Sequence, residues 1–190
     1  MEMAGIPNRL DVAGASELAY ATELDFPALY EAEFTHVWHT LRRFGVQDRD
    51  LEDLCHDVFV AFYGARDRYD QSRPVRPWLT GIAFRIASDY RRRAGHRREL
   101  SGQTVDSPST DPRADDMLSA RQEKDLVIGA LATMEEDRRA VLVMHDLDGH
   151  SMPVIAEALG LLLNTAYSRL RLARVDFAAE VRRRQQVRTR

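Results

Sequence analysis

Apolar residues recur at intervals of three and four along almost the whole of this chain, and few stretches alternate with period two. That spacing puts one greasy stripe on a helix and excludes a sheet protein. In "PALYEAEFTHVWHTLRRFG" the stripe is Leu29, Phe34, Val37, Trp38 and Leu41, with Gly45 as a stop. In "DRDLEDLCHDVFVAFYGARDRY" it is Leu51, Leu54, Val58, Ala61 and Phe62, with Asp48 or Asp50 as cap. "DQSRP" breaks the pattern, and "VRPWLTGIAFRIASDYRRRAGHRRE" resumes it through Trp78, Ile82, Ile86 and Ala87. Further helices are predicted over 118–134 and 135–147, then a short one from Ser151 to Leu159. Gly160 ends that short helix, and a last one follows.

One stretch lacks the period. "LSGQTVDSPSTDPRADD", Leu100 to Asp116, is rich in Ser, Thr, Asp, Pro and Gly and has no aromatic residue. It cannot bury enough apolar surface to offset the entropy of ordering, so it reads as a flexible linker. The expected fold is therefore all-α, with two small helical domains. Residues 1–24 are a weakly ordered N-terminus, 25–99 the first domain, 100–117 the linker and 118–190 the second domain. A single cysteine, Cys55, rules out an intramolecular disulfide and suits a reducing cytoplasm. No apolar run approaches the ~20 residues of a membrane span, so the expected location is the cytoplasm.

The net charge of −3 conceals an asymmetry. From Asp11 to Asp57 there are eleven acidic residues and three arginines. From Arg85 to Arg98 there are six arginines and one aspartate, and from Arg169 onward eight arginines against Asp176 and Glu180. Two basic islands suit polyanions, and the acidic one suits a basic protein surface.

The segment "SMPVIAEALGLLLNTAYSRLRLAR" is the strongest local signal: short helix, glycine turn, second helix, which is a helix-turn-helix. Leu163, Ala166, Leu170, Ala173 and Phe177 recur at three, four, three and four, which predicts one buried face. Asn164, Thr165, Tyr167, Ser168, Arg169, Arg171 and Arg174 are left outside as candidate groove readers. Arg suits guanine, Asn suits adenine, and hydroxyls suit phosphate or either base. A second candidate site combines the loop "ARDRYDQSRPVRPW" with the helix "RIASDYRRRAGHRR", where arginines and aromatic rings are mixed. A third is "DLEDLCHDVF", whose Glu52, Asp53 and Asp57 form an acidic helix face. His36 and His39 lie three apart and Cys55 adjoins His56, but nothing ties His36, His39 and Cys55 into a metal site. No catalytic motif is found, and no cofactor is expected.

These segments resemble the extracytoplasmic-function sigma factors, two-domain initiation subunits of bacterial RNA polymerase. "DLEDLCHDVFVAFYGARDRYD" is similar to region 2.1–2.2, "RPWLTGIAFRIASDYRRR" to region 2.3–2.4, and "HDLDGHSMPVIAEALGLLLNTAYSRLRLAR" to region 4. The resemblance implies that Leu51, Asp53, Leu54 and Asp57 face core polymerase. It implies that Arg66, Tyr69, Arg73, Arg76, Trp78, Arg85, Asp89, Tyr90, Arg92 and Arg93 engage and help melt the −10 element. The set from Asn164 to Arg174 would read the −35 element. Implied partners are core RNA polymerase, promoter DNA and an inhibitory anti-sigma protein, with the free chain a monomer and no covalent chemistry performed. The chain departs from the family pattern at Leu162, where a capping Ser is usual, and at Tyr167 and Leu172, where basic residues are usual. Arg85, His56 and Val154 also depart from it. Two rival readings are a stand-alone helix-turn-helix regulator that binds duplex DNA without polymerase, and a metal-dependent enzyme built on His36, His39 and Cys55.

Overall fold

A computed structural model describes residues 25–101 and 115–188. Those residues form helices and turns: α1 (Phe26–Arg43), α2 (Leu51–Ala65), α3 (Val75–Ser101), α4 (Asp115–Ala132), α5 (Glu136–Leu142), α6 (Met152–Leu159) and α7 (Leu163–Arg188). Short 3-10 turns lie at Asp48–Asp50 and Arg66–Arg68, and a π-helical turn, Val143–Leu147, extends α5. The expectations for residues 1–24 and for most of the linker lie outside the described residues. At both ends of the linker, helix runs further than its composition predicts, to Ser101 and from Asp115.

Local chemistry explains the ends. The Asp25 carboxylate accepts from the Ala28 N–H at 3.1 Å and caps α1, with Pro27 in the first turn. The Glu135 carboxylate accepts from the N–H groups of Asp137 and Arg138 and caps α5. Ser151 and Asp50 stand at cap positions but make no capping side-chain bond. Asp50 instead accepts from the Tyr90 hydroxyl at 2.7 Å. At the end of α6, Gly160 takes φ of +66°, and the Leu161 N–H reaches the Ala156 carbonyl at 2.7 Å. Only glycine enters that left-handed turn without strain, so it sets the path from α6 into α7.

Helices α1, α2 and α3 pack on one another through Val37, Leu41, Leu51, Cys55, Val58, Phe59, Phe62, Leu79 and Ala83, all essentially unexposed. The stripe on α3 is rotated from the sequence expectation. Leu79 and Ala83 join Ile82 and Ala87 in the core, while Trp78 and Ile86 are only half-buried. In the second half, α7 packs on α4, α5 and α6 through Ala166, Leu170 and Ala173. Leu163, expected on this buried face, is 42% exposed, because the Gly160 turn delivers the chain into α7 with Leu161 against the core instead.

The two halves share one continuous apolar core. Helix α3 packs on α6, and α1 on α4. A Cβ on Gly81 would lie 2.6 Å from the Ala158 carbonyl oxygen, so glycine permits that crossing. Arg139, 1% exposed, spans the junction. Its Nη1 donates to the Phe44 carbonyl at 2.8 Å, and its Nη2 to the carbonyls of Met134 (2.7 Å) and Ala132 (3.2 Å). Burial pushes its pKa down to about 10, which still leaves it charged at neutral pH. Arg43 and Asp148 add an ion pair at 2.7 Å across the same junction.

Replacing Arg139 with Ala strands three carbonyls and opens a cavity, so urea unfolding should show a loss of about 3 kcal/mol. Two histidines at the junction make its stability pH-dependent. Burial lowers the pKa of His36 and of His150, with Asp148 opposing and Arg76 adding to the shift in both, while Glu33 and Arg43 also act on His36. The His36 ring further shares a hydrogen bond with Thr80 at 3.2 Å. Both groups bind protons more readily in the unfolded chain, so their contribution is intact above the ordinary value of 6.5 and lost as pH falls below it. The unfolding midpoint should drop between pH 7.5 and 5.5, and the pair His36→Gln and His150→Gln should flatten that drop.

Candidate nucleic-acid interface

The second basic-aromatic cluster closes into a cavity of about 580 Å³. Tyr69, Arg73, Trp78 and Arg85 line it from the first half, and Val154, Glu157 and Ala158 of α6 close it from the second. Its chemistry is mixed. Trp78 and Tyr69 meet edge to face at 5.7 Å, Tyr69 leans on Phe62 at 5.6 Å, and its hydroxyl donates to the Arg73 carbonyl at 2.5 Å. That bond bends the 70–74 loop over the rings. The rings offer faces for stacking a planar group, and the arginines offer forks to phosphate. Burial raises the pKa of the Tyr69 phenol, so it remains a neutral donor.

The other members of the predicted −10 set do not line this cavity, and the set is variously engaged. Arg66 stacks over the Tyr63 ring at 4.2 Å and donates to the Tyr63 carbonyl. Arg76 pairs with Glu33 at 2.9 Å, Arg92 with Asp89 at 2.7 Å, and Arg73 with Glu157. Arg92 and Arg93 are exposed on α3. Tyr90 is half-buried with its hydroxyl on Asp50, so its ring is a packing group rather than an open platform.

On α2, Asp53 and Asp57 are exposed one turn apart, with Val60, 70% exposed, one turn further on. Leu54 is half-buried against the core. Leu51, expected on this outward face, is wholly buried and must be removed from it. Its partners at four, seven and eleven residues on, Cys55, Val58 and Phe62, are core residues as well.

Helices α6 and α7 form the expected helix-turn-helix. On the outer face of α7, Asn164, Tyr167, Ser168, Arg171 and Arg174 are exposed, while Thr165 and Arg169 are half-buried. Arg169 pairs with Asp137 at 2.6 Å. Arg174 grips both carboxylate oxygens of Asp146, at 2.9 and 2.6 Å, and holds that carboxyl down at about pKa 2. The Ser168 hydroxyl donates back to the Asn164 carbonyl at 3.0 Å. Sequence reasoning missed the Arg169 and Arg174 pairings, because each joins residues distant in the chain.

Cys55 is buried, its thiol pushed up to about 12, and His36 is engaged with Thr80. Among the described residues no three His, Cys, Asp or Glu side chains converge on a point. No helix among them is long and apolar enough to cross a membrane.

Residues 29–97 match sigma-70 region 2, and residues 124–176 match sigma-70, region 4. The chain belongs to the sigma-70 family. Within that family it is an extracytoplasmic-function sigma factor. The ECF RNA polymerase sigma factor SigL of Mycobacterium tuberculosis is 29% identical over 166 residues, spanning 87% of this chain and 90% of SigL. The structure of CnrH in complex with the cytosolic domain of CnrY is similar at a TM-score of 0.60 and 26% identity, covering 87% of this chain and 92% of that one. The sigma factor RpoE, in complex with the anti-sigma factor NepR from Bartonella quintana, shares the fold at a TM-score of 0.66 and 19% identity, covering 83% and 97%.

Proposed function

We infer that this chain is a transcription initiation factor that binds core RNA polymerase and directs it to promoters through −10 and −35 elements. One observation carries the reading. A single chain holds a helix-turn-helix and a separate helical unit whose Tyr69, Arg73, Trp78 and Arg85 converge on one cavity. A duplex regulator needs only the first. The second suits a base drawn out of the stack, because rings and arginine forks bind unpaired bases better than a closed duplex. Strand separation then follows from differential binding, with no covalent step.

Under this reading Asp53, Asp57 and Leu54 seat α2 on a basic surface of polymerase, Arg92 and Arg93 hold the strand backbone, and Asn164 and Arg171 reach base edges. An inhibitory anti-sigma protein is a third proposed partner; the fold neighbour RpoE is seen in complex with the anti-sigma factor NepR. The chain acts in the cytoplasm, where polymerase is. The two halves must part to work. Elements at −10 and −35 lie about 25 base steps apart, roughly 80 Å of duplex, whereas Arg73 touches Glu157 of the helix-turn-helix.

Run-off transcription with purified core enzyme, using the DNA upstream of the protein's own gene as template, tests the reading. A discrete transcript is expected only when both proteins are present. Asp53→Arg should reduce co-elution with core and leave the unfolding midpoint unchanged, since Asp53 is exposed. Arg171→Ala should cost about 1–3 kcal/mol of promoter binding and relax preference at one −35 position. Unaltered affinity and base preference would remove Arg171 from the interface.

A further inference from the structure

The leading end of α7 is more apolar than a helix that reads only by hydrogen bonds requires. Leu162 is 79% exposed, Tyr167 53% and Leu163 42%. Leu163 and Tyr167 are one turn apart on α7, and Leu162 directly precedes them. The donors nearby are largely committed elsewhere. Arg169 is on Asp137, Arg174 on Asp146, and the Ser168 hydroxyl on the helix's own backbone. Asn164 and Arg171 remain as exposed polar readers.

Leu162 is not explained by folding. It occupies the cap position of α7, with its carbonyl accepting from the Ala166 N–H at 3.0 Å. A Ser, Thr, Asn or Asp side chain there would satisfy a free N–H of the first turn, and Leu cannot. Its side chain also takes no part in the apolar core, where Leu161 does the packing. The position therefore gives up a cap and exposes an isobutyl group at the point where a recognition helix enters a groove.

The major groove of B-DNA presents one apolar group, the thymine 5-methyl. Arg171, exposed one turn beyond Tyr167, places positive charge beside that ring. We propose that Leu162 and Tyr167 are specificity-determining residues that read thymine methyl groups in the −35 element. This rests on the promoter-recognition reading and deepens it. The chain selects its −35 sequence by methyl contacts alongside the hydrogen bonds of Asn164 and Arg171.

The test uses the full chain with core enzyme and duplexes carrying a randomised −35 element. Selection should return thymine at two or more positions. Each of those thymines is then replaced by deoxyuridine, which removes the methyl and leaves every hydrogen-bonding edge intact. The wild-type holoenzyme should bind the deoxyuridine duplex roughly four-fold more weakly per methyl lost. Leu162→Ala should bind the thymine and deoxyuridine duplexes alike at one position, and Tyr167→Ala alike at another. Leu162→Ser supplies the missing cap, so it should raise the unfolding midpoint while abolishing the same discrimination. Equal wild-type binding to both duplexes overturns the proposal. So does an equal loss on both duplexes in Leu162→Ala, which would assign the tip to a protein surface instead. Either result leaves the initiation reading intact if transcripts still form. Absence of any transcript from any selected template fells both.

Discussion

The guanidinium of Arg139 is the contact that most of this molecule's geometry is arranged around. Removing a positive charge from water is costly unless acceptors replace the water. Here the acceptors are backbone carbonyls from both halves: Phe44 at the end of α1, and Ala132 and Met134 just before α5. The C-terminus of an 18-residue helix carries partial negative charge and suits a buried cation. Across the same junction Arg43 meets Asp148, α3 lies on α6 at Gly81, and Arg73 meets Glu157.

The clasp has a functional cost and a functional use. It closes the cavity around Tyr69 and Trp78 with the flank of the helix-turn-helix, so both proposed DNA-reading surfaces are held side by side. They cannot then serve two distant elements of one promoter. The acidic face of α2 is open in this arrangement, since Asp53 and Asp57 are exposed. A polymerase surface could therefore dock first and the halves separate afterwards, the interaction energy with the enzyme offsetting the buried contacts.

Much of this was legible in the residues. The three-and-four spacing marks each helix. The Gly160 turn with Ala166, Leu170 and Ala173 behind it marks the helix-turn-helix, because a left-handed glycine and a small-residue face leave few alternatives. The family's motifs located the cavity's lining. The misread positions have physical causes. Periodicity put Leu51 on the apolar stripe while the family resemblance turned it toward polymerase, and its burial with Cys55, Val58 and Phe62 sides with the periodicity. Leu163 shifted outward because the turn starts α7 in a phase that periodicity alone does not fix. Arg139 sits in the charged start of the helix predicted over 135–147, where a solvated side chain is the natural reading; its burial depends on a carbonyl 95 residues away. The pairs Arg169–Asp137 and Arg174–Asp146 likewise join elements that no local pattern connects.

The central claim is that one chain carries two promoter-reading surfaces, clasped together when free and parted on the enzyme. Spin labels at Ser72→Cys and Ser151→Cys, exposed positions on either side of the Arg73–Glu157 contact, report that separation directly. Pulsed electron spin resonance should give a short distance in the free chain, lengthening by tens of ångströms in a transcribing complex of chain, core enzyme and promoter. An unchanged short distance in that complex would contradict the account.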